Sequence, residues 1–339
     1  MCCLQTERSR KVRILGEVHQ LILDIGVDSA RQLAPDKFGR QCVDTAFNVM
    51  SDENFDIGIT HAGFAITALP HKPFLDRVWE RSGGKNGEIT LRIESGSNRN
   101  GDLLGIPSGA IARLILFHLS SEAHVNNSRV IELGSSMRAF LSRMGISPGG
   151  KTLKIVREQS RRIAMCRLTF FNEGAKNTMV SNGSFVRNAI LGNSPDETTP
   201  FWQDMIELDE GFFNSLKDHP LPLREAAIRQ LSNKSLALDI YVYLAYRLHV
   251  LTKPTPVSWT ALFAQFGSGV KEKKVFVNGF KEPLALALSA YPEAKVTIAD
   301  TGLILYPSDS PVPKTPIRGL RVASFRSSGG LTLINGASD

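Results

Sequence analysis

The sequence predicts an α+β chain in which one order of elements occurs twice: helix, short strand, two helices and a two-stranded hairpin. Three observations carry that reading. The segment from Leu133 to Ile163 holds a helical apolar stripe, a glycine-rich turn and a second helical stripe. The stretches that follow it alternate apolar and polar residues about turn-forming segments, as antiparallel strands do. The same succession then starts again near Leu223 and closes near Tyr306. That order is the order of a winged helix, so the expected architecture is two winged-helix (helix-turn-helix) domains in tandem.

Taken in turn, residues 1–60 read as mixed helix, with Ile14, Val18, Leu21, Ile22 and Ile25 on one stripe and a break marked by Pro35 and Gly39. Residues 63–94 shift toward strand and end with Ile89, Leu91 and Ile93 alternating with polar neighbours. The turn-rich GSNRNGD at 96–102 is read as a boundary. An apolar helix from Pro107 to Ser120 and a short strand, RVIEL, lead to the first helix pair. Its first member places Met137, Phe140, Leu141 and Met144 at i, i+3, i+4 and i+7, with Ser135 expected as N-cap. Its second member, about Lys151 to Arg162, puts Leu153, Val156 and Ile163 on one side and Lys151, Lys154, Arg157 and Arg161 on another. AMCRLTFF, the turn NEGAKNT and the segment after it form the hairpin, with Lys176 near its tip.

In the second unit Leu236, Ile240, Leu244 and Leu248 recur at four-residue steps, and SWTALFAQFG is a short helix ended by Gly267. Two alternating strands then meet at Asp300, Thr301 and Gly302. The expected boundaries are an N-terminal extension over 1–97, a first winged helix over 98–193, a second over 194–307, and a flexible Pro/Gly/Ser-rich tail over 308–339.

Charge narrows the function. The chain has 339 residues and a formal net charge of +7. From Ser135 to Lys176 there are nine Lys or Arg against Glu158 and Glu173, a local excess equal to that of the whole chain. The positive potential is therefore expected on and just after the second helix of the pair, where phosphates would be met. Four cysteines, at positions 2, 3, 42 and 166, lack zinc-ligand spacing. With no signal-peptide h-region and no eighteen-residue apolar run, a cytoplasmic location and no membrane partner are expected. The histidines, at 19, 61, 71, 118, 124, 219 and 249, form no His-x-His pair, and His118 reads as a core residue. Neither a catalytic constellation nor a cofactor is expected.

One motif competes. Gly145, Gly150, Lys151 and Thr152 match the G-x4-G-K-T spacing of a phosphate-cradling P-loop, which would make the chain an ATPase. A P-loop must follow a strand, whereas the residues before Gly145 are helical by pattern, and neither Asp24 nor Asp239 stands where a magnesium-holding carboxylate is needed.

GFAITALPHKPF, TLRIESG, LGSSMRAFLSRMGI with GGKT, SLALDIYVYLAYRLHVL, SWTALFAQFG and AYPEAKV occur in that order between about Gly63 and Ser308. Together they resemble the RepA-type plasmid replication initiators of bacteria. The resemblance implies a protein that binds repeated double-stranded sites, iterons, in a plasmid origin, helps open the adjacent duplex, and brings in the host initiator and replicative helicase. It also implies exchange between homodimer and monomer, and a third helix of each winged domain in a major groove.

On this reading Arg157 and Arg161 are the candidates for base contacts, and Lys151, Lys154 and Lys176 for phosphates. Thr152 would touch a phosphate or start the helix, and Gln159 and Arg162 would face solvent beside the main basic line. Lys271, Lys273, Lys274, Asn278 and Lys281 are the second unit's candidates. Pro283 and Gly279 interrupt that second recognition helix, so it is expected either to begin near Pro283 or to kink there. The rival expectations are a repressor on the same domains and, in another class, the P-loop ATPase.

Overall fold

The computed structural model describes residues 17–84, 88–173, 177–190, 205–267, 269–313, 325–326 and 330–331. Among the described residues three helices come first, α1 (Val18–Ile25), α2 (Val27–Leu33) and α3 (Lys37–Met50). Gly26 at φ +79° turns the chain between α1 and α2. Asp36 accepts the Gly39 N–H and so starts α3, which places Gly39 inside the helix rather than at a break. Val18, Ile22, Ala30, Val43 and Ala46 form a small core of their own.

There follow β1 (Ile57–His61), α4 (Gly63–Ile66), β2 (Val78–Gly83), β3 (Ile89–Glu94), α5 (Gly109–Asn126), β4 (Val130–Glu132), α6 (Gly134–Arg143), α7 (Gly150–Met165), β5 (Arg167–Glu173), β6 (Thr178–Gly183), β7 (Val186–Ile190) and β8 (Met205–Leu208). The chain continues with α8 (Glu210–Asp218), β9 (Pro220–Arg224), α9 (Glu225–Leu231), α10 (Ser235–Leu248), β10 (Thr255–Ser258), α11 (Trp259–Phe266), α12 (Lys273–Ser289), β11 (Val296–Ala299) and β12 (Gly302–Leu305). A short pair, β13 (Phe325–Arg326) with β14 (Gly330–Leu331), lies beyond.

The architecture is helices with antiparallel sheets. In the second unit α10, β10, α11, α12, β11 and β12 follow in the expected order, and their sheet runs β10-β12-β11. Gly302 sits where a Cβ would lie 2.0 Å from the Val257 carbonyl oxygen, which is why the hairpin can close on β10. The first unit has the expected order of elements with different pairing. Its short strand β4 pairs with β8, and its hairpin β5-β6 pairs with β3 in a sheet of order β2-β3-β5-β6. The reason is packing: alternation puts Leu91 and Ile93 of β3 inward at 0% exposure, beside Phe170 and Leu168 of β5, so this edge buries more than three-residue β4 can. The pairing crosses position 97/98. The described residues before position 60 are tied in as well, because β1 pairs with β9 from Ile57↔Arg224 to His61↔Pro220.

One apolar core runs through both units. Its axis is α10, buried nearly all round through Leu238, Ile240, Tyr241, Leu244 and Leu248. Asp239 lies on this helix and cannot be left alone there. Arg113 of α5 donates to both of its carboxylate oxygens at 2.6 and 2.7 Å and to the carbonyls of Leu69, Pro70 and Gly109. Asp239 is thereby committed to a buried ion pair, not to a metal. Beside it, burial pushes His71 down to about 4 and the Arg81 guanidinium down to about 10.

Candidate nucleic-acid interface

The helix pair α6–α7 is built by its glycine. Gly145 takes φ +70°, its N–H reaches the Ser142 carbonyl at 3.0 Å, and the Ile146 N–H reaches that of Leu141 at 2.9 Å. These are the two bonds of a Schellman stop, so Gly145 terminates a helix. The element before the G-x4-G-K-T spacing is thus α6, not a strand, and the geometry is not that of a P-loop. The helix itself begins one residue ahead of Ser135, with Leu133 at the cap position. Met137, Phe140 and Leu141 inside it and Met144 at its C-cap are buried, as their spacing predicts. His118 packs on Phe140 with its Nε2 on Ser136 Oγ at 3.1 Å, and burial pushes it down to about 3.

Helix α7 buries Leu153, Val156 and Ile163 and leaves Lys151, Lys154, Ile155, Glu158 and Met165 exposed. Thr152, Arg157 and Arg161 are half-buried at the borders. Two candidates are corrected. Gln159 (6% exposed) turns inward, its Oε1 accepting the Ser108 N–H at 2.9 Å. Arg162 (8% exposed) donates to the Ile106 carbonyl at 3.2 Å and to Glu158 at 2.5 Å. The periodicity placed both residues beside the basic line. The segment after β3 folds over that side and uses them as hydrogen-bonding anchors. A groove remains, lined by Leu104, Lys154, Arg157, Glu158, Arg161 and Arg162. Lys176 lies outside the described residues; the strands either side of it, β5 and β6, are paired from Leu168↔Gly183 to Glu173↔Thr178.

In the second unit α12 runs unbroken through Pro283, so it neither starts there nor interrupts. The carbonyl facing the proline ring belongs to residue i−4, which is Gly279, and a side chain at Gly279 would meet open space. Phe276, Phe280 and Leu284 face inward against Phe263, Phe266 and Trp259 of α11. Lys273, Lys274, Asn278 and Lys281 are exposed on the helix, and Lys271 is exposed just before it. Lys274, Asn278 and Lys281 share one stripe at steps of four and three. Lys273 is held by Thr260 Oγ1 at 2.6 Å.

Among the described residues no group of three His, Cys, Asp or Glu side chains is placed to hold a metal ion, and no helix is long and apolar enough to cross a membrane. Fold and surface thus define a mixed α/β protein with two helix pairs, each presenting a cationic outer face. Residues 106–260 match the family described as plasmid encoded RepA protein, in keeping with the plasmid replication initiators that the sequence motifs resemble. It spans α5 to the start of α11 and includes all of α6 and α7. Solved structures similar to the chain include SeMet derivatives of domains 2 and 3 of RctB, at 12% identity and a TM-score of 0.45 over 74% of this chain and 98% of that one. RctB domains 2-3 give 11% identity and a TM-score of 0.43 over 71% and 93%. No curated protein matches.

Proposed function

We propose that this chain is a non-enzymatic, sequence-specific double-stranded DNA-binding protein that starts plasmid replication from repeated origin sites, and that its two units are winged helices. The carrying observation is that the segment matching the plasmid RepA family contains α7, whose outer face bears Lys151, Lys154 and Arg161 over a packed apolar inner face. A helix of this kind, following a tight turn from another helix, can enter a major groove with its cations against phosphates and base edges. The second unit supports the winged-helix reading by its element order and by a sheet whose last strand lies between the other two. Iterons as the target, the host initiator and helicase as partners, and a dimer that yields origin-active monomers follow from the family resemblance.

The test has two arms. Purified protein is titrated against its own flanking DNA with unrelated competitor, and a plasmid carrying that DNA is asked to replicate with and without the gene. Preferred binding to direct repeats together with gene-dependent replication is the expected result. Binding with no effect on replication would make the chain a repressor, and absence of preferred binding would remove the proposal.

A further inference from the structure

We propose that the loop at 95–106 is a second DNA-contacting element, lying along the flank of α7 and delivering Arg99 to a backbone phosphate of the duplex that α7 reads. This rests on the DNA-binding reading above. By composition GSNRNGD is only a turn, yet the structure makes it a braced hairpin. Ser97 bridges to Leu103, and Asn98 and Asp102 close the tip through a backbone bond of 2.9 Å. The Asn98 side-chain oxygen accepts the N–H groups of Asn100 and Asp102, both at 2.9 Å, and its amide donates to the Asp102 carboxylate at 2.9 Å. Gly101 at φ +86° supplies the left-handed residue the tip requires.

The base of the loop is fastened to α7. Gly96 packs so closely that a Cβ there would stand 2.3 Å from the Met165 carbonyl oxygen, and buried Arg162 holds the Ile106 carbonyl. Leu104 then lines the groove together with Lys154, Arg157, Glu158, Arg161 and Arg162. A nucleic-acid backbone drawn to the groove's cations passes the loop. Arg99, exposed at the tip, is the loop's one cation, and its planar fork suits a phosphate. Because the tip is ordered before binding, little freedom is lost when the contact forms.

Full-length protein is titrated against the flanking-DNA fragment it retards, over a range of salt, as wild type, Arg99→Ala, Asn98→Ala and Arg161→Ala. Arg99→Ala should weaken binding by a similar factor on specific and unrelated duplexes and make the slope of log K against log salt shallower by about 0.9. Asn98→Ala, which keeps the arginine but unbraces the tip, should lose affinity in the same direction, and hydroxyl-radical protection should vanish at phosphates on one side of the footprint. Wild-type affinity, slope and footprint in Arg99→Ala, alongside weakened Arg161→Ala, would overturn the loop contact and leave the DNA reading intact. If the wild-type chain retards no fragment, the DNA reading itself fails.

Discussion

Arg161 and Arg162 are neighbours in sequence with separate work. Arg162 donates to the Ile106 carbonyl and to Glu158, and Arg161 lines the groove beside Lys154. Arg161→Ala should therefore cost about 1–3 kcal/mol of specific binding and relax preference at one base pair, as read by gel-shift competition against single-base variants. An equal loss on every sequence would make it a phosphate contact. Asp239→Ala leaves Arg113 buried without its counter-ion and should lower unfolding free energy by about 3–5 kcal/mol in urea. A loss below 1 kcal/mol would show that the pair is not holding α5 to α10. Glu122 carries a pH signature. Burial raises its carboxyl to about 7, with the Asn126 amide opposing. A raised carboxyl favours the fold below its unfolded value, and that contribution is lost as pH rises through 7. Glu122→Gln keeps the Asn126 contact without the charge, so its stability relative to wild type should rise from pH 5 to pH 8, by up to about 3 kcal/mol. A flat difference across that window would contradict the raised value.

At the scale of elements, the glycines that mimic a nucleotide motif prove to be stop and start signals. Gly145→Ala strains a left-handed position in otherwise open space, so it should destabilise by about 1 kcal/mol in thermal unfolding and leave DNA affinity of the folded protein unchanged. Abolished ATP binding in that variant, with wild-type ATP binding present, would instead restore a P-loop. Helices were legible in the sequence where period and punctuation agreed: α6 with its Gly145 stop, α7 with Leu153, Val156 and Ile163, α11 ended by Gly267, and the β11–β12 hairpin at Asp300 and Thr301. Less legible was which face of α7 meets solvent. Gln159 and Arg162 are polar and off the apolar stripe, and it is the fold of the segment between β3 and α5 that engages them through Ser108 and Ile106, a long-range fact with no local trace. Pro283 misled because propensity describes an isolated helix, while α12 is held through it by Phe276, Phe280 and Leu284.

For the whole molecule, the two units share more than their repeated order suggests. The sheet pairing of β3 with β5, the pairing of β1 with β9 and the Arg113–Asp239 pair each join segments far apart in sequence. Strand partners were the part the sequence withheld, since alternation tells which face is buried and not which neighbour it meets. Such a chain should unfold in urea as one transition, with circular dichroism and tryptophan fluorescence superimposing. Two separated transitions would show units that fold independently. The central claim is sequence-specific recognition through the basic helix face, and the most direct measurement is a gel-shift titration of the purified protein on its own flanking DNA against unrelated competitor at two salt concentrations. The account predicts preferred, salt-sensitive binding to directly repeated sites, weakened by Arg161→Ala; equal binding to the competitor at both salts would contradict it.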